Sequence, residues 1–292
     1  MRVSLHVGPH KTGTTSIQTY LLDRFGSPLP KEVWYPALPD RGPGHSALAF
    51  DLINGGALFQ TLIDSAQSAG VRHLILSSED FSFLFPEALT QLSILNSFST
   101  QLIFTFNSPI LRAASLWQEM VKHGHSKTLS DSMLEIRNMP GMQPSFVSAI
   151  TDVVRPADLA TIFISVRDRQ DVLLTNLCGA LNIEYTARAE VNRNNSLNYL
   201  ETELLRSINK TMESNGFEQA TMNALREIAI AMFQSPEWRE CNRPIPIVVP
   251  PEWVADFRSC AEGTLSAISN IQKKWKTRIF GSSDAMREEN KA

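Results

Sequence analysis

The chain alternates short apolar runs with stretches of helical periodicity. The first run, "RVSLHV" (residues 2–7), is β-prone and stops at a glycine turn. "TTSIQTYLLDRF" (14–25) follows, with Ile17, Tyr20 and Leu21 at helical spacing. A loop rich in Pro and Gly, "ALPDRGPGHS" (37–46), leads to a helical pattern from about Ser46. "VRHLILSS" (71–78), "TQLIFTF" (100–106) and "LATIFISV" (159–166) are apolar runs of the kind buried in parallel sheets. Pro109 opens a helix through "ILRAASLWQEMVKH" (110–123), and "DVLLTNLCGAL" (171–181) is helical too. Strands alternating with helices predict parallel βαβ units. Beyond about Asn192 the segments 196–213, 218–234 and 251–275 read as helices, and only "PIPIVV" (244–249) offers a β signal. The expected fold is α/β, with a central, mainly parallel sheet flanked by helices and a helical C-terminal extension. Residues 1–192 form the expected α/β core. Residues 193–292 form a helical region packed on it within one continuous domain.

Composition narrows the class. With 43% hydrophobic and 20% charged residues among 292, the chain is long and apolar enough for a sizeable core. A net charge of −3 gives no general attraction to nucleic acid or anionic membranes, so any anionic ligand has to be held by a local site. No segment approaches the roughly 20 apolar residues of a membrane helix, and no integral membrane association is expected. No apolar run precedes the first strand, so a signal peptide is not expected either. Cys178, Cys241 and Cys260 are odd in number and lack C-x-x-C spacing, which argues against a disulfide framework and fits a reducing, cytoplasmic setting. His6, His73, His123 and His125 show no ligand spacing, and no metal is expected.

The stretch "GPHKTGTT" (8–15) carries the chemistry. The nucleotide-binding pattern G-x-x-x-x-G-K-[ST] asks for Gly, Gly, Lys and a hydroxyl residue. Gly8, Gly13 and Thr15 fall in place, but Thr14 stands where the lysine belongs, and the lysine is Lys11. Backbone N–H groups in a glycine turn, with the positive end of the following helix, make an anion site. Thr12, Thr14 and Thr15 add hydroxyls, and Lys11 adds a full charge. Strand, glycine loop and helix in that order is the context such a loop needs, and it makes the expected fold a P-loop-type three-layer one.

These residues resemble a family. "HVGPHKTGTTSIQ" is similar to the opening of bacterial and Golgi-type sulfotransferases, whose pattern is close to hxGxxKTGTTxxQ. Members hold the 5′-phosphosulfate of 3′-phosphoadenosine 5′-phosphosulfate (PAPS) in this turn. The resemblance implies that Lys11 reaches the oxygen bridging phosphate and sulfate, with Gly8, His10, Thr12, Gly13, Thr14 and Thr15 around the donor. The family's 3′-phosphate motif, R-[DN]-P-x-x-R-x-x-S-x-Y, is matched by "NSPILRAASLW" at Pro109, Arg112 and Ser115, with Trp117 at the aromatic position. Asn107 replaces the leading arginine. Asn107 donates a hydrogen bond without charge, and charge-assisted bonds are roughly twice as strong. The donor site is then either weaker or completed by another arginine, with Arg167, Arg169 and Arg193 as candidates. The resemblance extends, less specifically, to about Lys210.

The expected activity is sulfuryl transfer from PAPS to a hydroxyl or amine acceptor, a small molecule or a glycan. Such transfer needs a base for the acceptor proton. Glu79 follows a strand in "SSED", where ligands of parallel sheets gather. His45, in "GPGHSALAF", titrates near neutrality. Strand-end placement favours Glu79. Asp80 reads as a supporting group. Two alternatives stand beside this reading. One is a P-loop kinase or NTPase, which would need a lysine at position 14 and Mg²⁺. The other is a non-catalytic nucleotide-binding protein with a degenerate donor site, which Asn107 keeps open.

Overall fold

The computed structural model describes residues 1–26, 32–38, 42–165, 170–187, 196–242, 244–275 and 277–283. The elements are β1 (Arg2–Val7), α1 (Thr14–Phe25), β2 (Val33–Trp34), α2 (Ser46–Ile53), α3 (Leu58–Ser68), β3 (His73–Ser78), α4 (Pro86–Thr90), β4 (Ser99–Phe106), α5 (Pro109–Lys122), α6 (Leu129–Arg137), α7 (Ser145–Val154), β5 (Asp158–Phe163), α8 (Gln170–Leu181), α9 (Tyr199–Ser214), α10 (Gln219–Phe233), α11 (Pro236–Cys241), α12 (Pro251–Lys274) and β6 (Thr277–Phe280). The fold is α/β. Its six-stranded sheet has the order β2-β3-β1-β4-β5-β6, and every pairing is parallel.

Alternation along the strands divides the core into two layers. Val3, Leu5 and Val7 of β1, Leu74 and Leu76 of β3, and Leu102, Phe104 and Phe106 of β4 pack with apolar residues of α2, α3, α4, α7 and the later part of α12. On the opposite face Ile75, Ile103, Ala160 and Ile162 pack with Ile17 and Leu21 of α1 and with Leu173, Leu174 and Leu177 of α8. Helices on both faces of a parallel sheet make the three layers expected from the sequence. The successive connections of β1 and β4 leave the sheet on opposite sides. The carboxyl ends of those neighbouring strands therefore form the switch point where open α/β sheets take ligands.

The chain forms two compact units. One comprises residues 1–109, 139–188 and 258–292, and the other 110–138 and 189–257. The second unit contains α5 beyond Pro109, α6, α9, α10, α11 and the start of α12. Its buried centre includes Trp117, Leu205, Phe233 and Phe257, and the amide of Asn209 donates to the carbonyls of Val121 and His125. These units cut across the division at residue 192. Residues 110–138 belong with α9 and α10, and the last strand belongs with the sheet. Strand β6 was not legible, because "TRIF" is short and half polar. "PIPIVV", the only β signal seen beyond Asn192, forms no strand. Among the described residues no helix is long and apolar enough to cross a membrane.

Candidate functional site

Strand β1 runs straight into the glycine loop. Gly8 is required there by contact. A Cβ on it would lie 2.3 Å from Thr105 Oγ1 and 2.5 Å from Thr14 Cγ2. Gly13 is the N-cap of α1 in the left-handed region, φ 72°, which glycine adopts without penalty. Lys11 is also left-handed, at φ 66°. Such a conformation in a non-glycine residue costs free energy and is held by its surroundings, often at a functional site. Gly13 at the N-cap contributes no side-chain cap to α1, and the first amides of a helix, with the positive end of its dipole, suit an anion.

The threonines divide by direction. Thr15 is exposed. Thr14 is almost fully buried, and its side chain hydrogen-bonds Glu79. Thr12 is wholly buried. Its hydroxyl donates to the Pro9 carbonyl at 2.7 Å and lies 3.0 Å from Thr105 Oγ1. The sequence expectation that Thr12 offers a hydroxyl to the ligand is thus corrected: this side chain supports the loop from beneath.

Glu79 follows the last residue of β3, beside β1, and with Asp80 it brackets His10. His10 Nδ1 lies 3.5 Å from Glu79 Oε1, and Nε2 lies 3.6 Å from Asp80 Oδ1. Phe83 meets the imidazole edge-on at 5.3 Å. Burial alone would lower the His10 pKa, but the hydrogen bonds and charges of Asp80 and Glu79 outweigh it and push it up to about 9. Burial would raise Glu79, yet His10 and the Thr14 hydroxyl hold it below the usual range. His10, Ser46 and Ser78 lower Asp80 in the same way. At neutral pH the cluster is an imidazolium between two carboxylates. That arrangement offsets acidic charge beside a loop shaped for an anion. Gln18 of α1 adds a donor to Glu79 Oε2 at 3.3 Å.

His45 is held differently. It is fully buried and stacks on Tyr35 at 4.3 Å. Its Nδ1 accepts the Ser77 N–H at 3.0 Å, and its Nε2 lies 2.8 Å from the Pro36 carbonyl, to which it donates. Burial pushes its pKa down to about 4. Both nitrogens are engaged by backbone, so His45 ties Pro36 to Ser77 and has no lone pair for an acceptor proton. The reason is the neutral tautomer, which has one donor and one acceptor nitrogen, both already used.

Of the second motif, Asn107 follows β4, and its Oδ1 accepts from the Ser108 N–H at 2.7 Å. Arg112 and Ser115 lie on α5 in the helical unit. Arg112 is almost fully buried. Ser115 lines a cavity of about 400 Å³ with Leu111, Gln118, Asn198 and Ile245. Arg193, like Arg167 and Arg169, lies outside the described residues.

Sequence reasoning gave no role to His6, Ser77, Thr105 and Gln18. A signal existed for the first. In "RVSLHV" the polar residues Ser4 and His6 alternate with Val3, Leu5 and Val7, which in a strand buried on both faces marks a polar row across the sheet. No protein-family model matches the chain, and no curated protein matches its sequence.

Proposed function

We propose that this chain is a sulfotransferase that moves the sulfuryl group of PAPS to a hydroxyl acceptor. The observation that carries the reading is the loop Gly8–Gly13, with Lys11 held in a left-handed conformation before a helix whose N-cap is Gly13, and Glu79 at the end of the adjacent strand. The donor set fits a phosphosulfate. Backbone amides and one ammonium suit a compact, multiply charged oxyanion. His10 offsets the two neighbouring carboxylates.

In this reading the acceptor oxygen forms a bond to sulfur while the bond from sulfur to the bridging oxygen breaks. Lys11 stabilises the charge left on the departing phosphate oxygen. Glu79, ionised at neutral pH, takes the acceptor proton. Glu79 is preferred to His45 because its carboxylate lies beside the loop, whereas both His45 nitrogens are engaged. Arg112 and Ser115 would meet the 3′-phosphate, as the sequence resemblance implies. The acceptor is a small molecule or a glycan.

Incubation of the full chain with sulfur-labelled PAPS and a panel of sugar, phenol and alcohol acceptors tests this directly. Acceptor-dependent transfer without added Mg²⁺ is expected. Phosphoryl transfer from ATP that requires Mg²⁺, with no sulfuryl transfer, would replace this reading by the kinase one.

A further inference from the structure

The hydrogen bonds beneath the glycine loop run in one direction only. A carbonyl can only accept, so Thr12 Oγ1 donates to Pro9 O at 2.7 Å. With that proton committed, the Thr12 oxygen accepts from the Thr105 hydroxyl at 3.0 Å. Thr105 Oγ1 in turn accepts from His6 Nε2–H at 3.2 Å. A neutral imidazole has one N–H, so His6 Nδ1 is the acceptor and the Ser77 hydroxyl donates to it at 2.7 Å. Ser77, His6, Thr105 and Thr12 are all fully buried. The chain thus crosses from β3 through β1 to β4 and ends inside the loop. Ser77 is itself fixed by His45, whose N–H donates to the Ser77 carbonyl at 2.9 Å and whose Nδ1 takes the Ser77 N–H at 3.0 Å.

We infer that His6 and Thr105 are positioning residues of the glycine loop, joined in a one-way chain, Ser77 to His6 to Thr105 to Thr12 to the Pro9 carbonyl, that sets the loop's shape before an anion arrives. The identity of the anion rests on the phosphosulfate reading; the chain itself does not. With the His6 ring neutral, every proton position follows from the carbonyl at the chain's end, and the other tautomer of His6 does not satisfy all four bonds. Thr105 is central because it both accepts and donates, and because Gly8 lies against it. Preorganised donors bind an anion without first being ordered, which is where the gain in affinity arises.

Thr105→Val and Thr105→Ser in the full chain separate this role from packing. Valine keeps the shape but removes the acceptor and the donor; serine keeps both. Hydrogen exchange of peptides covering residues 8–15, without ligand, is expected to quicken in Thr105→Val and to stay near wild type in Thr105→Ser. Affinity for PAP, the desulfonated donor, is expected to fall about tenfold or more in Thr105→Val, which loses two buried hydrogen bonds, and to recover in Thr105→Ser. Val154→Ala is the control for general destabilisation, because Val154 ends α7 and is followed by the amino end of β5, away from the loop. It should lower stability and move neither readout. Nitrogen NMR of the wild type should find His6 protonated at Nε2 alone, a readout that survives if Thr105→Val does not fold. Protonation at Nδ1, or wild-type loop exchange in a folded Thr105→Val, would overturn the inference. Failure of the wild type to bind PAP would sink the donor reading alone, since exchange and tautomer still decide the chain.

Discussion

Acidification should strip stability from this protein well before its carboxylates protonate. His6, His45 and His73 are buried, and burial pushes each pKa from 6.5 down to about 4. A histidine depressed in this way contributes stability that is present above pH 6.5 and lost as pH falls towards 4. Over the whole interval each contributes about 3 kcal/mol, at 1.36 kcal/mol per pKa unit. At pH 5 the loss is about 2 kcal/mol per histidine, or about 6 kcal/mol for the three, against the ~5–15 kcal/mol that holds a folded domain together. His10 does not add to this loss. Its raised pKa gives stability that is fully present below 6.5 and lost as pH rises through about 9. Glu79 and Asp80, both depressed, lose theirs only in more acidic solution than the histidines require. Urea unfolding at pH steps from 7 to 4 measures the slope, which should approach three protons taken up on unfolding near pH 5. His45→Gln should lower stability at pH 7 and remove one proton from that slope. A flat stability between pH 7 and 5 would refute the neutral, buried assignment of these histidines and the hydrogen-bond directions drawn from it.

Other outcomes follow from the loop and the cluster beside it. Lys11→Ala should abolish sulfuryl transfer in a folded protein, and Lys11→Arg should also be poor because a planar guanidinium does not replace a compact ammonium; kinetics with circular dichroism as a folding control checks both. Glu79→Gln should lower turnover by about 10²-fold or more with PAP affinity retained, which a comparison of kcat with calorimetric Kd detects. Gly8→Ala should destabilise by about 1–3 kcal/mol through overpacking against Thr105 and Thr14, measured by thermal unfolding. Donor affinity should weaken as pH rises through about 9, where His10 loses the charge that offsets Glu79 and Asp80, and this alkaline limb should vanish in His10→Gln.

The parts of the fold that the sequence made legible are those set by local chemistry. "RVSLHV", "LILSS" and "TQLIFTF" are apolar runs too short for buried helices, and each is a central strand. Gly8 and Gly13 mark a turn whose geometry only glycine supplies. The two-residue strand β2 and the edge strand β6 depend on pairing with distant strands, and four residues of "TRIF" carry too little pattern to announce it. The units likewise follow packing between α5 and the later helices, which no local period records. At the site, Glu79 at the end of β3 was legible from topology. The fate of Thr12 and His45 was not, because a hydroxyl or an imidazole reads the same whether it faces a ligand or a backbone carbonyl. His6 was passed over because a lone histidine in an apolar strand shows its partners, Ser77 and Thr105, only once three strands are in register.

Titration calorimetry of the full chain with PAP, alongside Lys11→Ala, tests the donor reading most directly, since it needs neither the acceptor nor turnover. Saturable one-to-one binding is expected without added metal, and it should be substantially weakened in Lys11→Ala. Absence of PAP binding at millimolar concentration, or binding that Lys11→Ala leaves unchanged, would contradict it.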